Sequence, residues 1–106
     1  MTQHSLLAAG RWHTLSLAQQ LGNIGSEMSR AARWQGKDTE RFEGAVARAF
    51  ELLDLTLQDP RWKHRLKEIA RLREAVADAY LGGTQYRTSF QDLDSYLMPF
   101  ALLARL

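Results

Sequence analysis

The chain has no cysteine, only two prolines and no long apolar run among its 106 residues. Without cysteine it can form neither a disulfide framework nor a thiolate metal site, and this fits a reducing compartment, so we expect a cytoplasmic protein. No stretch approaches the roughly 18 apolar residues that span a bilayer. Residues 1–10 lack the basic leader of a signal peptide. We therefore expect neither membrane insertion nor secretion.

The sequence motifs of the common enzyme classes are also missing. The chain has no glycine-rich phosphate loop, no nucleophile elbow and no paired-histidine metal signature. The Glu-x-x-His pairs of dimetal bundles do not occur either. His64 lies between Lys63 and Arg65, and these cations make it a poor metal ligand, so we expect it to be solvated. We predict no bound metal and no cofactor.

What the chain does have is helical periodicity over most of its length. With 45% hydrophobic and 25% charged residues, it has the composition of an ordinary globular domain. We predict one all-α domain over residues 1–106, a four-helix up-down-up-down bundle. Residues 1 to about 14 form a candidate N-terminal arm, in which we expect Trp12 and His13 to lie against the bundle.

Helix one is predicted for residues 15–35, and one of its stripes holds only small residues. At spacings of 4, 3, 4 and 3 these are Ala18, Gly22, Gly25, Ser29 and Ala32. Because glycine inside a helix costs about 1 kcal/mol relative to alanine, the stripe indicates close approach by another helix. That helix is either helix two or four of the same chain, or helix one of a second copy in a symmetric homodimer. The stripe is therefore a candidate dimer interface.

The other three helices are marked by capping and breaking residues. Asp38 or Thr39 marks the start of helix two. Helix three begins at Asp59 with Pro60 and ends at Gly82 with Gly83. Helix four begins at Ser89 with Asp92, and Pro99 is expected to kink it. In this arrangement Glu27 of helix one and Asp54 of helix two are candidate partners of Arg48 or Arg73.

Charge is divided between helices two and three. Residues 37–59 hold three basic and six acidic residues, a net −3, whereas residues 61–81 hold six basic and three acidic residues, a net +3. This indicates either two neighbouring helices whose rims attract each other or a basic face for nucleic acid. The candidate nucleic-acid-binding residues are Arg61, Lys63, Arg65, Lys67 and Arg71.

Residues 73–82 place an arginine in line with the apolar residues of helix three. The line runs at spacings of 4, 3, 4, 3 and 4 through Trp62, Leu66, Ile69, Arg73, Val76 and Tyr80. An arginine in an apolar seam needs a carboxylate, a dipole or an anionic partner, since burying it alone costs several kcal/mol. Arg73 is therefore the residue of this segment that most requires an explanation.

Arg73, Tyr80 and Gly82 resemble the motif of the HEPN superfamily (higher eukaryotes and prokaryotes nucleotide-binding). Nuclease members carry an arginine, four to six residues, a histidine, and often a nearby tyrosine and glycine. The resemblance implies a small all-α bundle that dimerises and accompanies a minimal nucleotidyltransferase in bacterial toxin–antitoxin pairs. Position 78 of this chain, where the histidine would lie, is aspartate.

The aspartate changes the chemistry that the motif can perform. Histidine exchanges protons near neutral pH, whereas an unperturbed aspartate with a pKa of about 3.9 is a poor base and no acid. Five helical positions also separate Arg73 and Asp78 by about 140° around the axis. We expect Asp78 to be a solvated or pairing residue, so the resemblance implies a non-nuclease member. The enzymatic alternative is a divergent metal-independent ribonuclease that uses Arg73, Asp78 and Tyr80.

The leading hypothesis is therefore a non-catalytic, dimeric HEPN-like interaction module. A second resemblance, to small bacterial four-helix bundles that accompany retroelements, implies nucleic-acid binding by a basic face. That alternative uses the basic residues between Arg61 and Arg73 in place of a catalytic pair. The sequence names neither a ligand nor a partner protein.

Overall fold

The computed structural model describes residues 10–83 and 85–105. Within them residues 10–12 are helical, and four longer α-helices follow. They are α1 Leu17–Trp34, α2 Thr39–Leu57, α3 Leu66–Tyr80 and α4 Phe90–Leu103, with a 3-10 helix, Pro60–Arg65, between α2 and α3. No strand occurs in the described part of the chain. The predicted all-α bundle is confirmed. Residues 1–9 of the predicted N-terminal arm, residue 84 of the predicted loop and residue 106 lie outside the described residues.

Helix α1 is the central helix, and it packs along both α2 and α4. It begins at a capping box, in which the Ser16 hydroxyl accepts from the Gln19 backbone and the Gln19 side chain accepts from the Ser16 backbone. Its core-facing residues Ile24, Met28 and Ala31 are fully inaccessible. Because two helices cover α1 on different sides, Gly22 and Gly25 of the small-residue stripe are buried as well.

Helix α2 begins after Asp38, whose side chain accepts from the Arg41 backbone, so the first of the two predicted caps is the one used. Its predicted row faces the core, and Ala49 and Leu53 are fully buried. The Phe42 ring packs edge-on against Phe90 of α4, with 5.4 Å between ring centroids. This contact carries the core from α2 across to the start of α4.

Helix three is predicted to start as an α-helix at Pro60, and that prediction is wrong for its first six residues. Asp59 does cap the segment, but Pro60–Arg65 is a 3-10 helix in which Trp62 leaves helical geometry at φ −105° and ψ 21°. The cause is tertiary, because the Trp62 indole N–H donates to Gln20 of α1 and the Arg61 side chain folds back onto Asp59. The α-helix proper begins only at Leu66.

The buried face of α3 agrees with the predicted seam only in part. The residues that face the core are Ile69, Leu72, Val76, Asp78 and Ala79. Leu66 and Tyr80, which the sequence placed in the seam, are each 41% exposed. Arg73 follows Leu72 at the margin of the core, so it does not lie in the apolar seam as predicted.

The chain between α3 and α4 turns where the sequence predicts it. Gly82 and Gly83 adopt positive φ of 113° and 71°, which suits glycine at a helix C-terminus. Ser89 and Asp92 then form the predicted capping box of α4, with reciprocal side-chain to backbone bonds of 3.1 and 3.0 Å. Pro99 lies inside α4, and the helix continues past it to Leu103.

Candidate functional site

Arg73, the first of the three catalytic candidates, is paired with a carboxylate on the neighbouring helix. Its Nε lies 2.7 Å from Asp54 Oδ1 and a terminal nitrogen lies 3.5 Å from Asp54 Oδ2. The guanidinium also lies over the Phe50 ring, 5.0 Å from the centroid. The predicted Arg73–Asp54 pairing is confirmed. The Arg73 side chain therefore links α3 to α2, and its carboxylate partner belongs to the same chain.

Asp78, the second candidate, is buried and holds the following loop. Its two carboxylate oxygens accept the backbone N–H groups of Gln85 and Tyr86 at 2.9 and 3.0 Å. Its own carbonyl accepts from Gly83 at 2.7 Å. Of the two alternatives expected for Asp78, solvated or pairing, the structure shows a paired carboxylate, because the turn at the two glycines folds the chain back onto it. Both oxygens are occupied by backbone donors, which leaves the carboxylate poorly placed to act as a base.

Tyr80, the third candidate, contacts α2. Its hydroxyl donates to Glu43 at 2.8 Å, and its ring stacks on Phe42 with centroids 6.2 Å apart. Donation to the Glu43 carboxylate raises the pKa of the Tyr80 phenol above its ordinary value, so the group stays protonated near neutral pH. Arg73 and Tyr80 thus bond to different residues of α2 and Asp78 bonds to the loop after α3, so no two of the three candidates share a hydrogen-bond partner.

The small-residue stripe of α1 packs within the chain. A Cβ at Gly22 would lie 2.9 Å from Ala101 Cα, and a Cβ at Gly25 would lie 2.9 Å from Leu97 Cβ. Both neighbours belong to α4. Of the two alternatives for the stripe, contact with helix four of the same chain is therefore correct for these glycines. The prediction that Gly22 and Gly25 lie in a dimer interface is wrong, because α4 of the same chain already covers them. Of the other residues in the stripe, Ser29 is exposed, and Ala18 and Ala32 are half-buried.

Arg61, the first of the nucleic-acid candidates, belongs to a buried polar cluster. Its Nε and a terminal nitrogen donate to the two oxygens of Asp59 at 3.0 and 2.7 Å, and it also donates to the Leu15 carbonyl. Gln20 donates to Asp59 at 3.0 Å and accepts from Trp62 at 2.8 Å. Arg61 therefore serves to join the 3-10 helix to α1.

The segment before α1 completes this cluster. The Trp12 indole N–H donates to Thr56 Oγ1 at 2.9 Å, and His13 Nε2 lies 2.9 Å from the Leu55 carbonyl oxygen. Gln20 donates to the Trp12 carbonyl. The prediction that Trp12 and His13 lie against the bundle is confirmed. In the described part of the chain every buried side-chain nitrogen and oxygen has a hydrogen-bond partner.

The other four nucleic-acid candidates are all exposed. Arg65 lies 3.5 Å from Glu68 in a surface pair, while Lys63, Lys67 and Arg71 make no salt bridge with any described residue. They are spread over the 3-10 helix and the first turns of α3, where they add positive charge to the exposed surface. Nucleic-acid binding by this surface stays a prediction.

The outer face of α4 is a feature that the sequence pattern did not reveal. Four of its large apolar side chains, Tyr96, Met98, Leu102 and Leu103, are between 47% and 62% exposed. The core-facing row of the same helix, which includes Phe90, Leu93 and Leu97, is buried. One feature of the sequence could have predicted this surface. Residues 96–103 have apolar side chains on all sides of the helix, whereas a single buried face requires them on one side only.

Comparisons with family models, curated proteins and solved structures found no match to this chain. Within residues 10–83 and 85–105, no group of three or more metal-ligating side chains lies close enough to hold an ion. No helix in the same residues has the length and apolarity needed to cross a bilayer. Function must therefore be argued from the contacts of the side chains themselves.

Proposed function

We propose that the chain is a non-catalytic interaction module that forms a homodimer through the outer face of α4. The observation that carries the proposal is the exposed apolar group Tyr96, Met98, Leu102 and Leu103 on a helix whose opposite side already fills the core. Large apolar side chains that stay exposed on a packed helix are a mark of interaction sites in small proteins. A domain of this size also buries a limited core and gains from association.

The contacts of the catalytic candidates support the non-catalytic part of the proposal. Arg73 is occupied by Asp54, the carboxylate of Asp78 by two backbone amides, and the Tyr80 hydroxyl by Glu43. An acid–base mechanism needs groups that converge on one reacting atom and exchange protons near neutral pH. These contacts supply neither condition.

A second copy is the occupant that the spacing of the apolar side chains on α4 favours. Two α4 helices that cross antiparallel about a two-fold axis between Pro99 and Phe100 place Tyr96 of each copy level with Leu103 of the other. Tyr96 and Leu103 lie on one side of α4, about two helical turns apart, so both contacts can form at once.

The experiment that tests this proposal is the solution molar mass of the wild type and of Leu103→Glu. Burying a leucine side chain is worth about 1.5–3 kcal/mol, and a two-fold interface counts each residue twice. The substitution is therefore expected to weaken dimerisation by roughly 3–6 kcal/mol, which makes the protein monomeric at micromolar concentration. Leu81→Glu is the matched control, since Leu81 is 77% exposed but precedes the turn before α4.

A pair of opposite charges tests the antiparallel register separately. Tyr96→Lys is expected to weaken the dimer, and Tyr96→Lys combined with Leu103→Glu is expected to weaken it less than Leu103→Glu alone, because the register places the two opposite charges against each other. A wild type that stays monomeric at high micromolar concentration would remove the proposal. Equal effects of Leu103→Glu and Leu81→Glu would show that the dimer uses another surface. Kinship with the HEPN superfamily and a nucleotidyltransferase partner stay predictions.

A further inference from the structure

A cleft of about 620 Å³ lies on a different face of the bundle from the outer face of α4, between the second half of α1 and the first half of α2. Three arginines line it: Arg30 from α1, and Arg41 and Arg48 from α2. Trp34 lies at its edge, and Gly44 leaves part of its floor without a side chain. Neither the catalytic candidates nor the basic surface of α3 includes these residues.

Two of the three guanidinium groups are held by one buried carboxylate. The Glu27 side chain is only 4% exposed, and its two oxygens accept from Arg30 and from Arg48 Nε, the latter at 3.1 Å. The two arginine side chains are themselves more than half exposed. Glu27 therefore fixes the inner edge of each guanidinium while their outer edges face the cleft.

With Glu27, Asp38 and Glu40 the cleft has as many carboxylates as arginines, so what the arrangement leaves unused is hydrogen-bond donors. A guanidinium has five N–H donors, and Glu27 takes one nitrogen from Arg30 and one from Arg48. A phosphate, with several acceptor oxygens, matches two adjacent guanidinium groups better than a single carboxylate does.

Trp34 adds a flat apolar surface beside the arginines. The Arg41 guanidinium lies 4.6 Å from the centroid of the Trp34 ring, and that of Arg33 lies 5.9 Å from it. Cation–π contacts of this kind hold an indole in place at a surface. Because Arg41 lies over this ring, a nucleobase would stack on the part of the indole that the guanidinium leaves free.

Two carboxylates also line the cleft, and they limit what it can bind. Asp38 is occupied, because it caps α2 and lies 3.4 Å from Arg41 Nε. Glu40 is exposed in the first turn of α2. Glu40 is therefore the carboxylate that repels an anion in the cleft. Neutralising Glu40 should raise the affinity of the cleft for an anionic ligand.

We propose that this cleft binds a phosphate-bearing ligand with a planar ring, a nucleotide either free or at the end of a single strand. Arg30 and Arg48 hold the phosphate, Arg41 completes the positive side, and the ring stacks beside Trp34. The site lies apart from α4, so the proposal stands independently of dimerisation.

The test is calorimetric titration of the purified chain with three probes: pyrophosphate, adenosine monophosphate and a twelve-nucleotide single-stranded RNA. Adenosine monophosphate is expected to bind more tightly than its phosphate charge alone accounts for, because its base stacks. Preference for the monophosphate over RNA identifies a free nucleotide, and the reverse identifies a strand. Either source fits the proposed chemistry, while binding of pyrophosphate as tightly as the nucleotide contradicts the stacking role of Trp34.

Variants separate the cleft from general surface charge. Arg48→Gln and Arg30→Gln are each expected to weaken binding by about tenfold or more, since charge-assisted bonds of a guanidinium are lost. Glu40→Gln is expected to strengthen binding several-fold. Lys67→Gln is the matched control, because it removes the same charge from the exposed surface of α3.

Two results would overturn the proposal. One is that none of the three probes binds the folded wild type at millimolar concentration. The other is that Lys67→Gln weakens binding as much as the cleft variants do. Because Arg48→Gln removes a partner of buried Glu27, a thermal melt checks its folding, and Trp34→Leu supplies a variant that breaks no buried pair. Unchanged nucleotide affinity in Trp34→Leu would exclude stacking at this site.

Discussion

Gly22 lies where α1 meets α4, and replacing it with alanine tests the closest contact in the bundle. The added Cβ would lie 2.9 Å from Ala101 Cα and 3.3 Å from Ala101 N. These are backbone atoms of α4, so no side-chain rotation can relieve the contact, and the two helices must move apart. Gly44→Ala is the matched control, because Gly44 is also helical but a Cβ added there would meet no neighbouring atom within 4 Å.

The magnitude follows from two opposing effects. Alanine stabilises a helix interior by about 1 kcal/mol relative to glycine. Overpacking costs about 1–3 kcal/mol, and the upper part of that range applies where the clash is with backbone. We therefore expect Gly22→Ala to lower the free energy of unfolding by about 1–2 kcal/mol and Gly44→Ala to raise it by about 1 kcal/mol.

The assay is urea denaturation followed by circular dichroism, with thermal melts as a second measure. For a chain of this size, each kcal/mol corresponds to roughly 4–8 °C in Tm. The two variants are thus expected to move Tm in opposite directions. If Gly22→Ala stabilises the protein as much as Gly44→Ala does, α4 does not press against this stripe, and the stripe becomes available again for another chain.

Three further predictions concern the polar contacts. Asp59→Asn is expected to cost about 2–3 kcal/mol, less than a fully buried pair, because the Arg61 side chain is 39% exposed. Since Arg61 lowers the pKa of Asp59, this stabilisation is complete above about pH 5 and falls as pH drops below about 4. Asp78→Ala is expected to cost about 1–3 kcal/mol and to speed hydrogen exchange at residues 85 and 86. Arg73→Ala is expected to cost about 1 kcal/mol through loss of the half-exposed Asp54 pair, and the wild type is expected to leave labelled RNA intact.

Each of these predictions can fail in a defined way. Wild-type and Asp59→Asn stabilities that fall in parallel between pH 5 and pH 3 would show that this carboxylate is not the group being titrated. Unchanged exchange in Asp78→Ala would mean that the loop is held by other contacts. RNA cleavage that disappears in both Arg73→Ala and Asp78→Ala would restore the ribonuclease hypothesis.

The helices could be predicted from the sequence because their signals are local. Ser89 with Asp92, Asp59 with Pro60, and the glycine pair after α3 each act within a few residues, and all are used as predicted. Helix α1 starts two residues later than predicted, at a Ser16 capping box that is itself a local pattern. Local chemistry thus located the ends of elements to within a turn.

The 3-10 segment and the seam of α3 could not be predicted in the same way. Trp62 leaves helical geometry while its indole bonds to Gln20, forty-two positions earlier in the chain. A contact at that separation leaves no trace in the periodicity of the sequence. Of the predicted seam Ile69 and Val76 are buried, and Leu72 and Ala79 complete the buried row beside Arg73.

Among the candidate sites, too, some contacts could be predicted from the sequence and others could not. The pairing of Arg73 with Asp54 and of Arg48 with Glu27 could be anticipated, since each needs only two helices to be neighbours. The role of Asp78 could not, because it depends on how the loop returns after the glycines. The arginine cleft depends on where α1 and α2 leave a gap, a property of packing and not of spacing.

Self-association through α4 is tested most directly by disulfide trapping, since the chain contains no cysteine. In Pro99→Cys the new thiol lies next to the proposed two-fold axis, whereas in Leu81→Cys it lies on an exposed residue away from α4. Under mild oxidation at micromolar concentration, we expect Pro99→Cys to form a covalent dimer rapidly and Leu81→Cys to form little. Equal rates of cross-linking for the two variants, or none for Pro99→Cys, would contradict a dimer built on this face.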